Sequence, residues 1–242
     1  MPIDAPQIPR FQALRRLSFV VRTVREMQGQ FPRECNICGF EGGFLPGGRP
    51  PRYDAKCPRC QSVERHRLVV LALEEQGLDW SGGSVLHFAP EPAMEAFFRA
   101  HAGTYISADI TPGRADRQLD IENIDMPEHS LDVVVASHVL EHVDDRAALR
   151  SLHRVLKPGG LLVALVPIVE AWPTTYENAA VVDPKERLLH FGQEDHVRYY
   201  GRDFVDRLRE GGFEVTERAG TAPECVRLGL MRGEKVFLGR AS

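Results

Sequence analysis

The chain has 242 residues, 43% hydrophobic and 26% charged, enough apolar material for one large core and a small appendage. No stretch approaches a membrane span, and Ser18-Phe19-Val20-Val21 lies between Arg16 and Arg22, so the N-terminal segment has no secretory apolar region and the cytoplasm is the expected compartment. The formal net charge of −4 hides an asymmetry: residues 1–72 carry 12 Lys+Arg against 6 Asp+Glu, and residues 73–242 carry 18 against 28.

Residues 1–10 hold Pro2, Pro6 and Pro9 and read as a lead-in. From Phe11 to Gln28, Phe11, Leu14, Leu17, Val20, Val21, Val24 and Met27 form an apolar stripe with Arg15, Arg16, Arg22 and Arg25 off it, so residues 1–30 are expected to contain a basic amphipathic helix packed on its own domain. A ribbon-like segment over 31–62 follows. Cys35-Asn36-Ile37-Cys38 and Cys57-Pro58-Arg59-Cys60 are separated by eighteen residues rich in Gly and Pro. Two residues between cysteines let both thiolates of a turn point at one ion, and two such knuckles supply four soft ligands for a structural zinc. The connecting loop cannot build a core alone, so the metal is expected to supply its folding energy. A redox-active pair would need a strand-helix context that is missing. The segment resembles a zinc ribbon.

Ser62 to Gln76 has helical spacing stopped by Gly77; Glu64, Arg65, His66 and Arg67 read as its solvated start. Val85, Leu86 and Phe88 suit a buried parallel strand, Pro90 and Pro92 break the ladder, and Met94, Phe97 and Phe98 recur at helical spacing. A second apolar run ends at Asp109, twenty residues beyond Ala89, where a carboxylate can accept from both hydroxyls of a ribose. Arg117–Ile121 reads as a third strand, Leu131–Ala136 as a fourth, Arg146–Leu156 as a helix capped by Asp144 or Asp145, and Leu161–Val166 as a fifth strand. Residues 167–198 fit neither helix nor strand and read as a lid or substrate wall. Phe204–Glu210 is an expected helix, Phe213–Glu217 and Lys235–Leu238 a sixth and a seventh strand, and Cys225 a small buried residue.

The unit from Val85 to Asp109, the Asp120-Ile121 pair, Asp132 before an apolar strand, Val139-Leu140-Glu141-His142-Val143 and Arg154-Val155-Leu156-Lys157-Pro158-Gly159-Gly160 resemble, in order and spacing, the class I S-adenosylmethionine-dependent methyltransferases, in the branch acting on small molecules or lipid precursors. The resemblance runs from Val85 to about Leu238 and implies a seven-stranded doubly wound, Rossmann-like sheet within residues 63–242. It implies that Asp109 holds the ribose hydroxyls, Ile110 and Ile121 flank adenine, Asp120 accepts from the adenine amino group and Ser137 lies by the methionine moiety. The first loop departs from the family's Gly-x-Gly: here it is His87-Phe88-Ala89-Pro90-Glu91-Pro92. Phe88 and Ala89 are its expected cofactor-facing residues, and Glu91 the group that pairs with the cofactor's ammonium.

For methyl transfer to a hydroxyl or amine the candidate bases are His138, His142, His190 and His196, with His142 and His196 first: one follows the fourth strand, the other adjoins Asp195 in the long insert. A small-molecule acceptor is the favoured partner. Rival readings are an RNA methyltransferase docking through the ribbon, a ribbon-bearing adaptor without cofactor, and a nicotinamide oxidoreductase, which lacks its Gly-x-Gly-x-x-Gly turn.

Overall fold

The computed structural model describes residues 18–21, 23, 29, 31–48, 51–77 and 82–242. The chain divides into two compact units, one of residues up to Arg67 with Thr221–Met231, the other of Leu68–Gly220 with Arg232–Ser242. The division falls inside helix α1 (Glu64–Glu75). The amphipathic helix expected over Phe11–Gln28 lies almost wholly outside the described residues, of which Ser18–Val21 and Thr23 are helical. No helix among the described residues is long and apolar enough to cross a membrane.

In the first unit, β1 (Arg33–Glu34) pairs antiparallel with β2 (Glu41–Gly42), and β3 (Leu45–Gly47) with β4 (Arg52–Lys56). Its core is as small as the glycine-rich sequence requires: buried Phe44 packs with Cys35 and Cys57. What closes the unit is Arg67, which is 0% exposed. Its Nε donates to the Leu228 carbonyl (2.6 Å), Nη1 to Ser62 (2.9 Å), and Nη2 to Ala55 and Gly229 (2.9 Å each). The guanidinium also lies 4.6 Å from the centre of the Phe44 ring. Two sequence expectations are corrected here. Glu64, His66 and Arg67 are buried rather than a solvated helix start. Residues 221–231, read from sequence as part of the 63–242 domain, fold with the first unit because their carbonyls are acceptors for Arg67.

The second unit is built on a seven-stranded sheet. Its strands are β5 (Ser84–Phe88), β6 (Thr104–Asp109), β7 (Arg117–Gln118), β8 (Leu131–Ser137), β9 (Leu156–Leu165), β12 (Phe213–Ala219) and β13 (Lys235–Ala241), in the order β12-β13-β9-β8-β5-β6-β7. β5 pairs parallel with both β6 and β8, β8 parallel with β9, and β13 runs antiparallel between β9 and β12. Helices α2 (Pro92–His101), α3 (Asp145–Val155), α4 (Pro184–Phe191) and α5 (Phe204–Glu210) complete it. α3 begins where Asp144 accepts from the Ala147 amide and buries Ala148, Leu149, Leu152 and Val155. These residues join Leu86, Val134, Ala136, Leu162 and Phe237 in the core.

The Arg154–Gly160 stretch, the most specific part of the family resemblance, stitches the edge of the sheet opposite the strands' carboxyl ends. Lys157 Nζ sits 2.8 and 2.9 Å from the two Asp132 carboxylate oxygens, and Asp132 accepts in turn from the Ser84 amide and hydroxyl. A Cβ on Gly160 would meet the Lys157 carbonyl at 2.8 Å, so the bulge between β8 and β9 requires glycine there. Strand β9 accordingly starts at Leu156, before this stretch, rather than at Leu161.

Two further expectations are corrected. The third strand covers only Arg117–Gln118, both exposed, and Leu119–Ile121 turns away from the sheet edge. The insert, read as lacking helix and strand, contains α4 and the antiparallel pair β10 (Tyr176–Glu177) and β11 (Arg198–Tyr199). Asp183 caps α4 through the Lys185 and Glu186 amides, Pro184 starts it, and left-handed Gly192 stops it.

Candidate functional site

All parallel strands end on one edge of the sheet, and β5 lies between β6 and β8, so the loops after these three strands meet at the reversal of strand order. Crevices form at such a reversal in open α/β sheets. Phe88, at the end of β5, is opposite Ala108 on one side and Ala136 on the other, which sets Ala89 between Asp109 and Ser137. Phe88 itself is buried.

Ala89 is exposed and has φ +47, the left-handed region that glycine adopts without cost. Ala89 thus holds a conformation that glycine adopts freely, at a steric cost of about 1–2 kcal/mol. Glu91 follows at the N-cap of α2 with extended backbone (φ −91, ψ 135), and its side chain makes no capping bond.

Asp109 ends β6. One carboxylate oxygen accepts from the Thr111 amide at 2.7 Å, which fixes the side chain and leaves the other oxygen without a partner among the described residues. Ile110 beside it is 62% exposed, a large apolar side chain offered to solvent at the crevice. Asp120 is exposed and takes the Glu122 amide on one oxygen at 2.9 Å. Ile121 is 4% exposed and belongs to the sheet core with Leu119 and Ile124, so it backs the crevice wall rather than facing it.

After Ser137 the backbone enters the left-handed region at His138 (φ +55), whose amide donates to the Leu165 carbonyl, and a single 3-10 turn, Leu140–His142, follows. This turn and the end of the insert bring His142 and His196 together, ring centres 4.6 Å apart and edge to face. His142 Nδ1 lies 3.3 Å from Asp195. His196 is buried, its Nδ1 is 3.2 Å from the Phe191 carbonyl, and burial, followed by the neighbouring His142, holds its pKa below the ordinary imidazole value. Glu141 immediately precedes His142 in sequence, is 1% exposed, and takes His138 Nδ1 on one oxygen at 3.1 Å. The fourth candidate, His190, instead bonds the Tyr176 phenol at 2.6 Å. An open depression of about 440 Å³, lined by Glu122, His142, Asp144, Glu177 and Arg198 among others, connects His142 to solvent.

Sequence reasoning gave Glu141 no role and missed the ionic cluster that docks the insert here. Arg207 binds Asp145 (2.9 Å) and Glu177 (3.0 Å), Arg198 binds Glu177 (3.0 Å) and the Leu140 carbonyl (2.8 Å), and the Tyr200 hydroxyl donates to Asp145 (2.9 Å). Burial works to raise the Glu177 pKa, but the hydrogen bonds from Arg207 and Arg198 outweigh it and hold the carboxyl below its usual range. The signal for this cluster was a run of Asp, Glu and Arg in segments read as capping or insert, with no spacing to pair them.

The cysteine centre lies in the first unit. The two knuckles repeat one backbone design: the Cys35 amide donates to Phe40 and Gly39 donates to Cys35, while the Cys57 amide donates to Ser62 and Gln61 donates to Cys57. Gly39 (φ +67) and Gln61 (φ +64) hold the same left-handed place in each. All four thiols are free and lie within 4.8 Å of one another, with Cys35 to Cys60 at 3.6 Å and Cys38 to Cys57 at 3.7 Å. Tetrahedral zinc with bonds of about 2.3 Å would set its sulfurs roughly 3.8 Å apart, so the donor set fits. Burial works to raise the Cys35 thiol, but hydrogen bonds, the Ser62 hydroxyl's foremost, bring it to about 7, while burial pushes Cys38 up to about 12.

Residues 71–164 match the family described as a methyltransferase domain. The ubiquinone/menaquinone biosynthesis C-methyltransferase UbiE of Vibrio cholerae is 32% identical over 113 residues, which cover 41% of this chain and 44% of that protein. The chain thus spans less than half the length of this curated relative. Among solved structures, the YcgJ protein of Bacillus subtilis superposes with a TM-score of 0.52 at 14% identity, covering 73% of this chain and 98% of that one. The 1,6-didemethyltoxoflavin-N1-methyltransferase of Burkholderia thailandensis, solved with bound 1,6-didemethyltoxoflavin and S-adenosylhomocysteine, superposes with a TM-score of 0.53 at 14% identity, covering 100% of this chain and 94% of that one. With the strand order and the antiparallel β13, these likenesses establish that the chain carries the class I S-adenosylmethionine-dependent methyltransferase fold.

Proposed function

We propose that the protein transfers a methyl group from S-adenosylmethionine to a small-molecule acceptor, and that its cysteine centre holds a structural zinc. The observation that carries this reading is the placement, at the carboxyl edge of one parallel sheet, of Asp109, with one carboxylate oxygen unpartnered among the described residues, of exposed Ile110, and of the paired His142 and His196. Asp109 accepts from the ribose hydroxyls, Ile110 covers one face of adenine with Ile121 behind the wall, and the free oxygen of Asp120 takes the adenine amino group. Phe88 and Ala89 shape the turn beneath the methionine end, where the Ser137 hydroxyl and the Glu91 carboxylate receive its polar groups. When bound, the cofactor supplies a methyl already activated on a sulfonium, which leaves the chain to bind, align and remove the acceptor's proton. His142 and His196 handle that proton.

The small-molecule reading is supported by the likeness to UbiE and to the toxoflavin methyltransferase. Among the described residues of the first unit, several arginines are already engaged within the protein: Arg33 with Asp54, Arg52 with Glu64, Arg227 with Glu34, Arg59 with the Cys38 carbonyl, and Arg67 in its buried site.

Glu91 tests the least family-like part of this site. Glu91→Gln is expected to weaken S-adenosylmethionine binding in calorimetry while the melting temperature of the ligand-free protein stays within about 1 °C. Unchanged affinity with a small loss of stability, on the order of 0.3–1 kcal/mol, would make Glu91 only a first-turn acid favourable to the helix dipole.

A further inference from the structure

The buried polar atoms at the end of β8 do not balance. The Phe191 carbonyl can only accept, so His196 Nδ1 carries the proton and Nε2 is a lone-pair acceptor. That Nε2 is buried and has no partner among the described residues. Glu141 Oε2 is likewise buried and unpartnered, its other oxygen being occupied by His138. Two buried acceptors thus stand without a donor among the described residues, where buried polar groups are ordinarily paired. His142 completes the group: one nitrogen from each ring and one Glu141 oxygen lie within 4.8 Å of one another.

Two imidazoles and a carboxylate are the donor set of first-row divalent transition ions. The outer contacts agree, since ligating histidines present their second nitrogen to a backbone carbonyl or a carboxylate, and here Phe191 and Asp195 serve. His142, 28% exposed, opens on the depression described above and gives an ion a path in. The set is distinct from the cysteine centre, whose thiolates suit zinc.

We propose that Glu141, His142 and His196 bind one divalent transition-metal ion at the carboxyl edge of the sheet, and that its open coordination positions take an oxygen of the methyl acceptor. The second half rests on the methyl-transfer reading and deepens it, for it makes the acceptor atom an oxygen. The two imidazoles then act through the ion, which makes a bound hydroxyl more acidic, rather than as free bases. A water molecule donating to both orphaned acceptors is the competing occupant, and it predicts no metal uptake.

The test uses the full chain with zinc already saturating the cysteine centre, titrated with Mn2+ and followed by the paramagnetic resonance of the free ion. One Mn2+ bound per chain is expected, with affinity reduced at least about tenfold in His142→Gln, a partly exposed position. Asp195→Asn, at an exposed side chain, is expected to weaken Mn2+ less and to leave zinc content and melting temperature unchanged. Absence of uptake at millimolar Mn2+, or equal uptake by wild type and His142→Gln, overturns the proposal. Calorimetry with S-adenosylhomocysteine on the same preparation separates the two readings. Cofactor binding without Mn2+ uptake removes the metal alone, whereas Mn2+ uptake without cofactor binding supports the metal site and removes the methyl-transfer reading.

Discussion

Arg67 shows how one residue can set the limits of a folding unit. Its four carbonyl acceptors come from Ala55, Ser62, Leu228 and Gly229, so a single guanidinium gathers chain segments more than 160 positions apart. Burial lowers its pKa, and the neighbouring Cys35 thiol acts against that shift. Arg67→Met keeps apolar contact with Phe44 but leaves buried carbonyls unpaired at about 1–3 kcal/mol each. The variant is expected to lose zinc on purification while Leu68–Gly220 keeps its circular dichroism; full zinc retention with wild-type melting would show that the ribbon does not depend on this residue. Ala89 likewise holds a left-handed backbone conformation natural to glycine, which its residue type does not signal.

At the scale of elements, an ionic cluster helps to dock the insert, beside the buried side chains of Phe191 and Val181. Glu177 on β10 bridges Arg198 on β11 and Arg207 on α5, and its folded-state pKa lies below the ordinary 4.5. A depressed carboxyl contributes stability above its unfolded value and loses it as pH falls through the folded value. Glu177→Gln is therefore expected to melt below wild type at pH 7, with the gap closing below about pH 4. A gap that stayed constant from pH 7 to pH 3 would contradict this. The same element explains what the sequence concealed. α4 exposes Leu188 (50%) and Leu189 (83%), so its hydrophobic residues form no buried stripe, and only the Asp183-Pro184 start and the Gly192 stop marked it. By contrast β5 and β8 were legible as short continuous apolar runs buried on both faces, and α3 and α5 by buried residues that recur at helical spacing. The four cysteines and the first-ranked pair His142 and His196 were legible as residue types, but their meeting points depend on backbone turns. Glu141 was not legible, because burial of a carboxylate leaves no mark in composition.

Across the whole molecule, two chemistries are kept in separate units: four soft thiols within a glycine-rich ribbon, and carboxylates with imidazoles along the carboxyl edge of a parallel sheet. The sheet's other edge, tied by Asp132, Lys157 and Ser84, carries stability. Binding of S-adenosylmethionine in the crevice at Asp109 is the property on which the proposed function depends. The direct measurement is calorimetric titration of wild type and Asp109→Ala with S-adenosylhomocysteine. One site per chain is expected in the wild type. Loss of a charge-assisted acceptor worth about 1.5–3 kcal/mol should weaken binding by roughly tenfold to more than a hundredfold in the variant. Equal affinity in the two proteins, or no binding to the wild type at millimolar concentration, would contradict the proposed site.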